Sequence, residues 1–197
     1  AGDHILRMLD TMFDAPLRMV DFRHESGAVH AADSYSRILK KGAVMLSTTP
    51  GHANALPALA NAIHSEAPVI NIVGSAESPN LGRGAMQEFD QINAAKPITK
   101  GAWEVPSSSR IPEYVALAFR TALSGRQGPV HLTIPHDFQM AEVDDAEVAR
   151  YTPSEYGISS LVLSDPDQVE KAIDLLSTAQ KPMIFAGSSA GATAMPS

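Results

Sequence analysis

The feature that most constrains this chain is a rhythm: short, nearly continuous apolar runs alternate with longer segments of helical periodicity. A strand with one wet face alternates apolar and polar residues. A strand that is apolar throughout must be covered on both faces, and helices crossing between parallel strands supply that cover.

The apolar runs place strands at Leu17–Phe22, Ala43–Thr48, Pro68–Val73, Gly101–Val105, Pro129–Ile134 and Pro182–Ala186. Helices are expected over His4–Phe13, Ser26–Leu39, His52–His64, Ser109–Ser124 and Asp165–Ala179. In the second helix Ala28, Ala31, Ala32, Tyr35 and Leu39 fall on one stripe, and in the last Val169, Ala172, Ile173 and Leu176 do. The last helix also opens on Asp165-Pro166, a cap followed by proline at the first helical position. The expected fold class is α/β: an open parallel sheet with helices on both faces (flavodoxin-like, three-layer), followed by the start of a second α/β domain.

Composition narrows the function classes. With 197 residues, 44% hydrophobic and 19% charged, the chain can bury a core. Its net charge of −7 and lack of a basic cluster argue against nucleic acid and anionic membrane surfaces as partners. The absence of cysteine excludes disulfides, thiolate zinc sites and a cysteine nucleophile. No apolar run approaches the roughly 18 residues of a membrane span, and AGDHILRMLD does not read as a signal peptide, so a cytoplasmic protein is expected. Ala141–Ser164 breaks the rhythm with five acids, Pro153 and Gly157, as a solvated connector does. The expected organisation is a domain over 1–144, a linker over 145–164, and the truncated start of a further domain over 165–197.

Ligands of open parallel sheets gather at the carboxyl ends of strands, so the loops there are where chemistry is sought. Glu25 stands where the first apolar run ends and a helix begins, as a capping acid or as a functional one. Pro50-Gly51 gives a tight turn ahead of the next helix, which lets backbone approach a ligand. The polar loop Glu77–Gln91 holds Gly82, Arg83 and Gly84, but lacks the spacing and lysine of a phosphate loop. No dinucleotide glycine fingerprint follows any early strand. The histidines show no spacing that suggests a metal cluster, and Trp103 reads as a core or edge anchor.

Together these segments match a family. RHESGAVHAADSYSR (Arg23–Arg37) resembles the HExxAxxxAxGYAR segment of thiamine diphosphate-dependent enzymes of the acetolactate synthase and benzaldehyde lyase type, departing at Ser34 and Ser36. TTPGHANALPALANA (Thr48–Ala62) resembles their GPGxxNxxxxxANA turn and helix. APVINIVGS, GAMQEFDQ and GPVHLTIPHD follow in the same order, and KPMIFAGSSA resembles the first strand of the family's central domain.

The resemblance implies that the chain is the family's N-terminal, pyrimidine-binding domain, with Glu25 as the acid that contacts N1′ of the aminopyrimidine. A carboxyl that shares a proton there favours the imino form of the ring, and the cofactor then acts as an electron sink for decarboxylation or carbon–carbon cleavage. Pro50, Gly51 and Asn54 align with the turn that meets the pyrimidine, and Glu25 is expected to be enclosed by Ala28, Val29 and a partner subunit. His30 and Gln87 align with side chains that approach the substrate. For His30 an equally open reading is a helix residue buried against a neighbour, and for Gln87 the other reading, the lesser of the two, is a surface loop amide. His52 stands where the family often has a small or hydroxyl residue, which leaves its role open.

In the family, a C-terminal domain with a GDG motif holds the diphosphate and its Mg2+. No GDG occurs in this sequence, and the family's first strand with its GxPG-like turn is absent or lies before Ala1, so the sequence is expected to be clipped at both ends and to hold no metal itself. The implied activity is that of a lyase, carboligase or decarboxylase acting on a small-molecule substrate, a 2-oxo acid, aldehyde or acyloin. The implied assembly is a homodimer or tetramer that shares the site. The alternative is a non-catalytic fragment or interaction module of the same fold.

Overall fold

In the computed structural model, which describes residues 2–152 and 164–187, four parallel strands form a single sheet. They are β1 (Ala43–Thr48), β2 (Val69–Ser75), β3 (Ala102–Glu104) and β4 (Val130–Pro135), in the order β1-β2-β4-β3. Around them run α1 (Leu6–Phe13), α2 (Glu25–Leu39), α3 (Thr49–His64), α4 (Gln91–Ala95), α5 (Ile111–Leu123) and α6 (His136–Met140). The chain divides into two units, Ala1–Gly157 and Ile158–Ser197, and the sheet belongs to the first.

The two central strands are buried along their whole length apart from Ile72, as their apolar sequences require. Successive side chains point to opposite faces. Ala43, Met45 and Val69 therefore pack under α2 and α3 with Val29, Ala32, Ala55, Leu59 and Ala62. Ile70 and Val130 face the other way, against Ala118 and Ala122 of α5. The result is the expected three layers, with helices on both faces. Trp103 on the short edge strand β3 is partly buried beside Leu132 and Ile134, an edge anchor.

Several boundaries differ from expectation. Leu17–Phe22 forms no regular element and joins no ladder, and Leu17, Met19, Val20 and Phe22 are exposed. Apolar and β-branched residues give extended backbone; a strand also needs a neighbour to bond, and β1 pairs only with β2. The buried stripe of α2 is Val29, Ala32, Asp33 and Ser36, while Tyr35 and Leu39 are exposed. Asp33 tolerates burial because it accepts from Arg37 and, at 3.1 Å, from Asn61. Helix α3 starts at Thr49, so Pro50 and Gly51 form its first turn where a separate tight turn was expected. Proline fits there because its missing N–H would have had no intrahelical partner.

In the second unit α7 (Pro166–Thr178) opens as expected, with Asp165 accepting from the Asp167 N–H at 3.1 Å. Val169, Ile173 and Leu176 on its apolar stripe are exposed. Pro182–Ala186 is without a ladder, since no strand pairs with it among the described residues.

The 3-10 turn Asp3–Ile5 packs over the carboxyl end of β2, and the fit turns on Gly74, where a Cβ would run into the His4 carbonyl. Because the obstacle is backbone, Gly74→Ala should cost about 3 kcal/mol of stability, at the upper end for overpacking. Urea denaturation of the two proteins measures the difference.

Candidate active site at the start of helices α2 and α3

The chain enters α2 through His24, which is extended and serves as the N-cap: its Nδ1 accepts from the Ser26 N–H at 3.2 Å. Since the histidine takes the capping role, the Glu25 carboxylate is free to reach across to α3. There Asn54 Nδ2 donates to Glu25 Oε2 at 3.1 Å, and Ser26 Oγ donates to the Asn54 carbonyl at 2.6 Å. The two helix starts are thus clasped by two reciprocal bonds. Beneath the carboxylate lies Gly51: a Cβ at this position would stand 2.8 Å from Ser47 Cβ and 2.9 Å from Glu25 Oε1. Only a residue without a side chain allows Glu25 to sit this low.

Of the six residues singled out from the sequence, Glu25, Gly51 and Asn54 meet here, and Pro50 lies exposed in the same turn. Val29 turns into the core and Ala28 packs against it, so Glu25 rests on α3 rather than on its own helix. His30 is exposed on α2, and Gln87 is exposed in the loop between β2 and α4. Among the described residues no hydrogen bond joins either to Glu25. Gln87 adopts φ +58°, a left-handed conformation uncommon outside glycine.

That loop is held by an internal anion. The Glu88 carboxylate accepts the N–H groups of Gly82 at 2.5 Å and of Gly84 and Ala85 at 3.0 Å. These bonds, led by that of Gly82, hold Glu88 below the usual carboxylate range. The N–H groups of Gly82 and Gly84 are therefore taken and do not face a ligand. Among the described residues no group of three or more His, Cys, Asp or Glu could hold a metal ion.

Below the α3 turn lies a buried polar cluster that no motif announced. His52, Asn71 and His131 are 0% exposed, and Thr133, Thr49 and Gln91 are nearly so. The rings of His52 and His131 stack with centroids 4.2 Å apart. One signal was available: Asn71 and His131 each interrupt an apolar strand, and they are register partners across β2 and β4. Burial holds His52 down to about 4, and it holds His131 well below its ordinary value, helped by the neighbouring His52.

A carboxylate poised over a glycine at two helix starts, on the carboxyl side of a parallel sheet, defines a ligand-binding α/β domain. Residues 1–94 match the family described as thiamine pyrophosphate enzyme, N-terminal TPP binding domain. The chain is 35% identical to the acetolactate synthase isozyme 2 large subunit of Escherichia coli, covering 99% of this chain and 35% of that protein. It is also 35% identical to the oxalyl-CoA decarboxylase of Escherichia coli, over 88% of this chain and 31% of the relative. A thiamine diphosphate-dependent 4-hydroxybenzoylformate decarboxylase from Rhodococcus jostii superposes with a TM-score of 0.86 at 25% identity, covering 98% of this chain and 36% of that one. The chain carries, over residues 1–94, the N-terminal domain of the thiamine diphosphate-dependent enzymes, and it spans about a third of the length of the curated relatives it matches.

The family's cofactor is thiamine diphosphate, with Mg2+ typical beside it. The residues here fit its ring end: the missing side chain of Gly51 seats the Glu25 carboxylate, an acid suited to a ring nitrogen, and the buried Ser47 Oγ beside it has no hydrogen-bond partner.

Both core imidazoles are neutral in the folded protein, whereas unfolding returns them to an ordinary value near 6.5. The unfolded state therefore binds more protons below that pH, and stability falls as pH falls. Stability should be level above pH 7. It should drop by about 3 kcal/mol for His52 alone between pH 6.5 and 4, at about 1.4 kcal/mol per pH unit. Urea midpoints measured across that window check it, and His52→Leu should flatten part of the slope.

Proposed function

We propose that this chain supplies the aminopyrimidine-binding half of a thiamine diphosphate-dependent lyase, carboligase or decarboxylase acting on 2-oxo acids, aldehydes or acyloins. The observation that carries this reading is the Glu25 carboxylate, clasped by Asn54 and seated over Gly51. When bound, the cofactor supplies a nucleophilic carbon and an electron sink for carbon–carbon bond cleavage or formation. The protein's part is positional and protonic. Glu25 holds or shares a proton at the ring nitrogen N1′, and Asn54 fixes the direction in which the carboxyl group points. Pro50 and Gly51 form the wall against which the ring packs. His30 and Gln87, both exposed, are assigned to the substrate side.

In this reading residues 1–144 are the pyrimidine-binding domain, 145–164 a connector, and 165–197 the opening of the family's central domain. The diphosphate and Mg2+ are held by a separate domain, with the site shared between subunits of a homodimer or tetramer. The small-molecule chemistry suits a cytoplasmic protein. Among the described residues no helix is long and apolar enough to cross a membrane.

Glu25→Gln tests the assignment, because the amide keeps a hydrogen bond to the ring but moves no proton. In the assembled enzyme the variant should bind thiamine diphosphate and Mg2+ with little loss, read by Trp103 fluorescence. Turnover should fall by about 10²–10⁴-fold, the usual worth of a positioned proton donor. Unchanged turnover would remove Glu25 from the chemistry.

A further inference from the structure

The clasp between Glu25 and Asn54 stands on a polar circuit whose hydrogens can be placed in only one direction. The Gln91 carbonyl can only accept, so His52 Nε2, 3.3 Å away, carries the proton. His52 Nδ1 is then an acceptor, and the Asn71 amide nitrogen donates to it at 2.9 Å. The second N–H of the same amide meets His131 Nδ1 at 3.1 Å. His131 Nε2 donates to Thr133 Oγ1 at 2.8 Å, and the Thr133 hydroxyl donates to Gln91 Oε1 at 3.0 Å. Finally Gln91 Nε2 donates to Thr49 Oγ1 at 2.6 Å. Both imidazoles are thereby neutral, in the same Nε2–H tautomer.

The circuit touches the first turn of α3 twice, at Thr49 and at His52, on either side of Pro50 and Gly51. The upper surface of that turn carries the Glu25 carboxylate. Apolar side chains of similar volume would fill the same space, but their contacts have no direction and would let the turn slide. A polar network in a dry core is directional, and among the members of this circuit every donor is met and only Asn71 Oδ1 lacks a hydrogen-bond partner. Each link constrains the next: the β2 and β4 ladder fixes Asn71 against His131, Asn71 fixes His52, and His52 fixes the turn.

We propose that Asn71 and His131 are positioning residues for Glu25, setting the height and tilt of the Thr49–His52 turn on which its carboxylate rests. Neither is hydrogen-bonded to Glu25 or Asn54, so their influence runs through His52 and the turn. The proposal rests on the reading of Glu25 given above for its functional meaning, but its structural content can be tested separately.

The test uses NMR of the full 197-residue chain. Long-range imidazole 1H–15N spectra at pH 7 should show the Nε2–H tautomer at both His52 and His131; an Nδ1–H form or a cation at either overturns the circuit. His131→Leu keeps the bulk but leaves an Asn71 N–H without its acceptor and removes the N–H that Thr133 Oγ1 accepts. The Asn54 side-chain amide signal should then shift and exchange with solvent about fivefold faster, the equivalent of roughly one lost hydrogen bond. His131→Gln, which can accept from Asn71 and donate to Thr133, should restore the Asn54 signal. An unaltered Asn54 signal in His131→Leu, or equal disturbance in both variants, overturns the proposal. If His131→Leu does not fold, the tautomers and His131→Gln decide, and a displaced Asn54 signal in the latter counts against it. Failure of the Glu25 reading would show differently, as full turnover in Glu25→Gln while these signals behave as stated.

Discussion

One amide shared between two imidazoles organises the core of this domain. Asn71 lies in the middle of a strand that is otherwise apolar, and its two N–H groups have histidine nitrogens as acceptors on either side. Placing an amide and two imidazoles in a dry interior is costly unless their donors are met. Here they are met by groups on three separate elements, β4, α3 and α4, so the sheet, the first turn of α3 and the start of α4 must be in register at once. Hydrophobic burial drives the layers together; this circuit decides how they are aligned.

From that alignment the site follows by short steps. A turn held from below presents Gly51 upward, and its missing side chain leaves room for a carboxylate. His24 caps α2 in place of Glu25, so the acid is not drawn into the helix's own N–H groups. Asn54, one turn further along α3, then meets Glu25. None of the site residues is unusual by itself. Their joint arrangement comes from two helices whose starts are bonded to each other.

Much of this was legible in the sequence, for identifiable reasons. Central strands betray themselves because burial on both faces leaves a mostly apolar run, as in Val69–Val73, where only Asn71 breaks it. Glu25, Gly51 and Asn54 were legible because their motifs have fixed spacing. Leu17–Phe22 and Pro182–Ala186 were misread because apolar residues report a taste for extension and burial, whereas a strand is defined by its neighbour. The stripe on α2 was placed a step away from the true one because Asp33 and Ser36 do not look like core residues; Asp33 is buried through its bonds to Arg37 and Asn61. The histidine circuit was missed because its members are scattered over some eighty positions, and only the strand register brings Asn71 beside His131.

The loop between β2 and α4 shows how a chain can be ordered without being buried. Its residues are mostly exposed, yet one side chain, Glu88, collects three of its backbone N–H groups and folds the segment back on itself. Such a loop has surrendered much of its conformational entropy in advance. Gln87, next to that anchor in its left-handed conformation, therefore has its backbone set before any molecule meets it. Contact with it would not require the ordering of a flexible arm, a saving that grows with every degree of freedom already frozen.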